Sequence, residues 1–181
     1  MISRWRRRLR PDGANSFASM KRYRATWCAS LTVASGLVTL ICLGVSAACW
    51  WQLGAQKQHD ALRWLAALPL ALLLGMLPFM VFGYTITREA ILVHRLLWDT
   101  KLPRAGLESA QVDPEAMRRS LRTFGNGGGF SITGLYYNKR LGSYRAFVTD
   151  PRRCVVLRYA NRRVVVSPDS PEEFVRELTP S

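Results

Sequence analysis

The sequence predicts a membrane α-helical hairpin followed by a mostly-β domain of about seven strands and a C-terminal α-helix. Residues 27–51 and 64–84 contain no Asp, Glu, Lys, Arg or His, and these two segments predict the hairpin. A helix rises about 1.5 Å per residue and the hydrocarbon core is about 30 Å thick, so about 20 apolar residues cross it. After residue 84 apolar and polar residues alternate, which predicts strands.

The chain divides into five segments by charge and hydropathy. Residues 1–26 carry eight basic residues and one acidic residue, and we expect them to form a disordered N-terminal segment. Residues 52–63 form a short joint between the predicted transmembrane helices at 27–51 and 64–84. Residues 85–181 carry 16 basic and 10 acidic residues, a balance typical of a soluble domain.

The positive charges predict how the hairpin is oriented. Cytoplasmic flanks of membrane spans are enriched in Lys and Arg, so the basic residues before residue 27 place the N-terminus in the cytoplasm. The joint carries only Lys57 and Arg63, offset by Asp60, and we expect it on the outer side. Basic residues also follow the second span. Both termini are therefore expected in the cytoplasm, with the lipid bilayer as a partner.

The formal net charge of +14 also raises the question of nucleic-acid binding. Half of this charge lies in residues 1–26, where membrane topology already accounts for it. No zinc-finger spacing, basic zipper helix or ribonucleoprotein-type aromatic motif accompanies the charge. We expect no nucleic-acid partner.

The cysteine and histidine residues predict no metal site and no cofactor. The four cysteines are interpreted as small apolar residues without a disulfide framework: Cys28, Cys42, Cys49 and Cys154. His59 and His94 have no second ligand at helical or hairpin spacing.

Two alternatives concern the start of the chain. A cleaved signal peptide needs an apolar region of about 7–15 residues, and the run at 27–51 is longer than that. Met20, followed by a short basic stretch, offers a second start directly before the first span. We expect an uncleaved first span and keep Met1 and Met20 as alternative starts.

The region after residue 84 is predicted to consist of strands, with one helix that begins near residue 113 and another at the C-terminal end. Asp113 and Pro114 are expected to cap and begin a helix. Ser170, Pro171 and Glu173 combine an N-cap, a proline at the first helical position and a capping-box acid, and Phe174 then begins an apolar stripe. The predicted strands are 84–88, 90–97, 107–112, 130–133 with 135–137, 144–149, 154–159 and 162–167, the last three as a meander.

This order of segments resembles the bacterial pleckstrin-homology-like (PH-like) domains, in which a bent antiparallel sheet or partial barrel is closed by a C-terminal helix. The residues that carry the resemblance are 84–87, 91–93, 107–110, 122–128, 144–150, 155–157, 164–168 and Phe174. The resemblance covers about residues 84–179 and implies no shared catalytic residues. With two spans before such a domain, we expect a multi-pass protein of the bacterial cell inner membrane.

Two loops were considered for phosphate binding. Residues 125–129 read GNGGG but lack the Lys-Ser/Thr pair of a P-loop and precede a strand, so we expect a flexible or bulged connection. In eukaryotic PH domains that bind phosphoinositides, the loop between the first two strands carries several basic residues. The resemblance places that loop here at residues 88–90, with one base and one acid, so we expect no specific phosphoinositide.

The remaining candidate site is a set of basic loop residues expected to contact the membrane surface or a partner: Arg118, Arg119, Arg122, Lys139 and Arg140. No paired carboxylates and no Ser-His-Asp or Cys-His set can be assembled, so we expect no enzyme. The sequence favours a non-enzymatic interaction module that binds a protein partner, a second copy or the inner leaflet. The alternative is an accessory subunit of a membrane transport or envelope-stress complex, which contacts its partner through the transmembrane helices.

Overall fold

The computed structural model describes residues 20–54, 60–127 and 129–179. In these ranges ten strands form two sheets, and three α-helices accompany them. The helices are α1 (Ala29–Gly54), α2 (Asp60–Met76) and α3 (Pro171–Leu178). The strands are β1 (Lys21–Arg24), β2 (Val81–Ile86), β3 (Ala90–Arg95), β4 (Asp99–Pro103), β5 (Leu107–Val112), β6 (Leu121–Gly127), β7 (Ile132–Asn138), β8 (Gly142–Val148), β9 (Val155–Tyr159) and β10 (Arg162–Val166).

The first sheet joins two parts of the chain that lie on either side of the long helices. Its order is β1-β2-β3-β4, and all its pairs are antiparallel. β1 precedes α1 and α2, whereas β2 follows them, and Arg24 lies opposite Gly83. A Cβ atom at Gly83 would lie 2.7 Å from the Tyr23 carbonyl oxygen, so this close approach requires glycine. The two helices are thus an insertion between neighbouring strands.

β1 differs from the disorder predicted for residues 1–26. Its four residues alternate so that Tyr23 is buried while the basic residues around it stay in solvent. The Tyr23 ring packs edge-on against Phe174 with ring centroids 5.1 Å apart, and Lys21 Nζ lies 2.5 Å from Glu173 Oε1. The aromatic packing of Tyr23, the Lys21–Glu173 ion pair and the pairing with β2 together hold this segment in the sheet. Residues 1–19 lie outside the described part of the chain.

The first predicted span corresponds to α1, which packs against α2. Between Ala29 and Gln52, α1 is long and apolar enough to cross a membrane. Among the described residues, no other helix meets this length and composition. The other apolar helical segment, Ala67–Phe79, is shorter. The predicted joint at 52–63 is also shorter, because α1 continues to Gly54 and α2 begins at Asp60; residues 55–59 are not described.

The second span predicted at 64–84 is not found at that length. α2 ends at Met76, a 3-10 turn covers Leu77–Phe79, and the chain enters β2 at Val81. Pro78 lies in this turn, where the helix ends, since proline lacks an N–H and crowds the preceding helical turn. Val81 and Tyr84 are fully buried in the domain. Their apolar character reflects a protein core, which composition alone does not distinguish from a membrane segment.

The second sheet has the order β5-β9-β10-β8-β7-β6. β10 lies beside β8 in parallel orientation, with Val166 opposite Phe147, so the last three strands do not form a meander. The strands predicted at 107–112, 144–149, 154–159 and 162–167 are confirmed to within two residues. The strand residues predicted at 130–133 and 135–137 belong to one strand, β7, from Ile132 onward; residues 130 and 131 precede it.

The expected seven antiparallel strands are too few for the described residues. β1, β4 and β6 were not predicted. β4 is an edge strand, where Lys101 and Pro103 are tolerated because edges are commonly protected by charge and proline. In β6, residues 125–127 pair with β7 and are not a free loop. Gly125 has φ +113°, and a Cβ atom there would meet the backbone of β7, so glycine allows the two strands to approach.

The helix predicted to begin at Asp113 is absent; residues 114–119 form turns. The Asp113 side chain accepts a bond of 3.0 Å from the Glu115 N–H, as a helix cap does. Arg119, however, has φ +53°, a left-handed conformation that no α-helix continues through. This segment instead covers one face of the second sheet, where Ala116 is fully buried.

Two apolar cores lie on opposite faces of the second sheet. One fills the space between the two sheets and α3, and includes Tyr84, Phe147 and Phe174. The other lies beneath residues 114–119 and includes Tyr144 and Cys154. The C-terminal helix is confirmed, with Phe174 and Leu178 buried and Pro171 at its first position, although the Ser170 hydroxyl makes no capping bond.

A buried hydroxyl connects the two sheets. Tyr84 in β2 donates a hydrogen bond of 2.6 Å to the Phe147 carbonyl in β8 and accepts one of 3.2 Å from the Ser167 N–H. Because the phenol is fully enclosed, desolvation raises the pKa of Tyr84 to about 12, with hydrogen bonds to Ser167 partly offsetting the rise.

We predict that Tyr23→Ala destabilises the domain by about 3–5 kcal/mol, because it removes a large aromatic side chain packed on Phe174. Denaturant unfolding of the full chain in detergent measures the change. Tyr23→Phe is the matched control and is expected to be nearly neutral, since the Tyr23 hydroxyl is buried without a hydrogen-bond partner. Equal stability of the Ala variant and the wild type would show that β1 is not an integral strand.

We also predict an alkaline loss of stability that depends on Tyr84. Its pKa is about 12 in the folded chain against its usual 10.0, so its contribution is fully present below pH 10 and is lost as pH rises through 12. The loss amounts to about 2–3 kcal/mol. The measurement is the stability difference between wild type and Tyr84→Phe as a function of pH. A difference that stays constant from pH 9 to 12 would contradict the prediction.

Candidate functional site

The predicted basic residues lie at the end of the second sheet where β7 ends and β8 begins. Four of the five line an open depression of about 640 Å³, which we call the basic groove. Its lining residues are Glu115, Arg118, Arg119, Leu121, Tyr137, Asn138, Lys139 and Arg140. The structure therefore brings Arg118 and Arg119 of one loop together with Lys139 and Arg140 of another.

Two of the four cations of the basic groove have carboxylate partners within the protein. Arg118 Nη1 lies 2.7 Å from Glu115 Oε2, and this hydrogen bond and attraction raise the pKa of Arg118. Arg140 Nη2 lies 2.7 Å from Asp113 Oδ2. Because these ion pairs are internal, the groove presents less unbalanced charge than the sequence suggests.

Arg122 is not part of the basic groove. Strand alternation in β6 turns Leu121 toward the groove and Arg122 toward Tyr136, its partner across the strand pair. Burial raises the pKa of the Tyr136 hydroxyl, and the positive charge of Arg122 partly offsets that rise. Of the predicted set, four residues share one surface and the fifth lies on the opposite face of the strand.

A second surface surrounds the contact between the long helices and the domain. The Phe130 N–H donates a bond of 2.9 Å to Ser35 Oγ in α1, and Ser131 Oγ donates one of 2.8 Å to the Phe79 carbonyl after α2. The Cys28 N–H donates to the Thr149 carbonyl at 3.3 Å. The start of β7 and the end of β8 therefore meet the helices. The basic groove lies at the other end of β7, about 20 Å away along the strand.

The β3–β4 connection exposes three large apolar side chains beside the helices: Leu96, Leu97 and Trp98. We call residues 96–98 the apolar tip. Trp98 packs edge-on against Phe79 with ring centroids 5.8 Å apart, which places the tip next to the end of α2. A connection between strands is normally polar, so a Leu-Leu-Trp run at this point is a signal that sequence reasoning could have used.

Next to the apolar tip lies a cleft of about 320 Å³ that contains two arginines, and we call it the two-arginine cleft. Its lining residues are Phe79, Arg95, Phe124, Gly125, Thr133, Gly134, Leu135 and Arg145. The cleft forms where Arg95 at the end of β3 faces a row across the second sheet in which Phe124, Leu135 and Arg145 are neighbours. Sequence reasoning missed both arginines because they belong to different sheets and to segments about 50 residues apart.

Both arginines of the cleft pack on the same aromatic ring. The guanidinium carbon of Arg95 lies 4.8 Å from the centroid of the Phe147 ring, and that of Arg145 lies 5.1 Å from it. Desolvation, and secondarily the like charge of Arg145, lower the pKa of Arg95. Two guanidinium groups of like charge therefore lie against one aromatic ring.

The cysteine and histidine residues take structural positions in the described part of the chain. The four cysteines are free thiols, and burial raises the pKa of the Cys154 thiol to about 12, with smaller contributions from nearby carboxylates. His94 connects Thr85 Oγ1 at 2.7 Å with Asp99 Oδ1 at 2.9 Å across the first sheet. No metal-binding group of His, Cys, Asp and Glu is found among the described residues. His59 lies outside them.

Comparison with known proteins identifies the domain but no individual relative. A family model described as Bacterial PH domain matches residues 82–180, which is more than half of the chain. No curated protein and no solved structure matches the chain. The matched range begins within β2 and leaves out β1 and the two long helices.

Proposed function

The chain belongs to the bacterial PH domain family, and from this premise we propose that it is a non-enzymatic integral membrane protein. In this proposal α1 and α2 cross the bacterial inner membrane, and the PH domain lies at the cytoplasmic face and binds the inner leaflet. The observation that carries the proposal is the insertion of both helices between the hydrogen-bonded strands β1 and β2.

The β1–β2 pairing supports a topology with both ends of the hairpin on one side. Arg24 and Gly83 are opposite each other in the sheet, so the chain that leaves the domain before α1 must return to the same place after α2. The lipid bilayer cannot separate two strands that share hydrogen bonds. The basic residues before α1 then favour the cytoplasm for the N-terminus and the domain together.

The lengths of the helices fit this arrangement. Ser35 is bonded to the domain at Phe130, so the part of α1 available to lipid begins after Ser35. From residue 36 to 52, α1 extends about 26 Å, and the uncharged residues 64–76 of α2 extend about the same distance when the 3-10 turn Leu77–Phe79 is included. Both lengths approach the hydrocarbon thickness of about 30 Å.

The apolar tip supports the inner leaflet as the surface that the domain contacts. Leu97 is 69% exposed, and the tip lies against Phe79, at the point where α2 would leave the membrane. Amphipathic rings such as that of Trp98 favour the interface between lipid and water. A protein partner or a second copy of the chain could cover the same residues, and the second experiment below separates these outcomes.

The membrane topology is tested by fractionation and reporter fusions. We expect the full chain to stay in the membrane pellet after alkaline carbonate washing, because two helices are held by lipid. Reporters that are active in the cytoplasm should work at both termini, and periplasmic reporters should not. Release by carbonate, or a periplasmic signal at either end, would overturn the proposal.

The surface is tested by photocrosslinking in native membranes, with p-benzoylphenylalanine in place of Leu97. We expect lipid adducts, because residue 97 would lie at the leaflet. The same probe in place of Leu121 is the matched control: that leucine is equally exposed (71%) but lies at the basic groove, and it should give few lipid adducts.

Each other crosslinking result has a defined meaning. Adducts to another protein at residue 97 would replace the leaflet by a protein partner, and dimer adducts would replace it by a second copy. Protein adducts confined to sites within α1 and α2 would favour the alternative function, an accessory subunit that contacts its complex through the helices.

A further inference from the structure

The two-arginine cleft holds donors of hydrogen bonds that have no acceptors. Arg95 Nε and Thr133 Oγ1 are both buried without a hydrogen-bond partner. Thr133 is 97% buried, since its relative exposure is 3%, and it lines the cleft together with Arg95 and Arg145. Buried polar groups without partners are uncommon in folded proteins, because each has lost its hydrogen bonds to water without gaining others. Their grouping here indicates an occupant with several acceptor oxygens.

The cleft also contains positive charge without a counter-charge. Within the described residues, neither Arg95 nor Arg145 forms an ion pair with a carboxylate, and both guanidinium groups pack on aromatic rings. This distinguishes them from Arg118 and Arg140 in the basic groove, which both have carboxylate partners. An anion between the two guanidinium groups would relieve their repulsion and accept from the orphaned donors.

The other walls of the cleft are apolar, and they lie beside the helices. Phe124 is 76% exposed and Leu135 is 48% exposed, so the cleft offers uncovered apolar surface next to its cations. Phe79, the last residue of the turn after α2, forms the wall nearest the helices. Two neighbouring arginines flanked by exposed apolar surface match a lipid, whose phosphate is attached to apolar chains, better than they match a free phosphate ion.

We propose that the two-arginine cleft binds the phosphate of an anionic membrane lipid, with Arg95 and Arg145 pairing with its oxygens and Thr133 donating a hydrogen bond to it. This inference rests on the proposed function, since it requires the cleft to lie at the inner leaflet. It goes beyond that function by assigning the site and the ligand class. The cleft is lined from β3, β6, β7 and β8, and not by the loop at residues 88–90.

The test uses the full chain in detergent micelles that contain equimolar phosphatidylglycerol and phosphatidylcholine, with native mass spectrometry to count the retained lipids. We expect selective retention of phosphatidylglycerol. Arg145→Gln should reduce this retention about tenfold or more, because a charge-assisted hydrogen bond contributes about 1.5–3 kcal/mol. Arg145 is exposed, so the substitution leaves the core intact.

Two further variants make the test specific. Arg158→Gln is the matched control, because it removes an equally exposed charge from β9 of the same sheet outside the cleft, and it should retain wild-type selectivity. Thr133→Val removes only the orphaned hydroxyl. If Thr133 binds the lipid, the variant should retain several-fold less phosphatidylglycerol at unchanged thermal stability. If Thr133 is only structural, phosphatidylglycerol retention should not change.

The outcomes separate this inference from the proposed function. One contrary result is that the wild type retains both lipids equally, and another is that phosphatidylglycerol retention falls equally in the Arg145→Gln and Arg158→Gln variants. Either result overturns the cleft as the lipid site and leaves the membrane topology untouched. Displacement of the lipid by inorganic phosphate alone would show that the cleft binds a free anion and overturns the lipid assignment. Release of the chain by carbonate washing overturns the topology and this inference together.

Discussion

The structure depends on the pairing of β1 with β2, because this pairing determines what the long helices can do. Without β1, the helices would be a leader attached to the domain by one connection. With it, the segment that contains α1 and α2 is joined at both ends to the same sheet, and Tyr23 contributes to the same core as Tyr84 and Phe174. The family match begins in β2 and therefore does not include β1, the edge strand of the first sheet.

The two basic surfaces differ in how their positive charge is balanced. The basic groove has more positive side chains, but internal carboxylates balance two of them. The two-arginine cleft has only two cations, but they lie on one aromatic ring and repel each other, and Arg95 Nε and the Thr133 hydroxyl there have no hydrogen-bond partner. Unsatisfied hydrogen bonds and unbalanced charge identify a site better than composition does, because they measure what an incoming ligand would gain.

Local sequence patterns predicted the elements that are formed by residues close together in the chain. They failed for elements whose structure depends on contacts with residues far away in the chain. The C-terminal helix was predicted from a pattern of neighbouring residues at 170–174, although the Ser170 hydroxyl makes no capping bond. Val81 and Tyr84 looked like membrane residues, because a core strand and a lipid-facing helix are equally apolar and only the position of Pro78 marks the change. β1 was missed because its partner strand is 60 residues away, and the two-arginine cleft because its walls come from two sheets.

The position of β1 has a consequence for synthesis. The ribosome makes this strand before the helices and its partner after them, so the edge of the first sheet stays open until residue 86 has emerged. For the two strands to pair afterwards, the nascent N-terminus must be on the same side of the membrane as β2 in the proposed topology. Insertion machinery that carried the N-terminus across the bilayer would therefore leave a domain that could never complete its sheet.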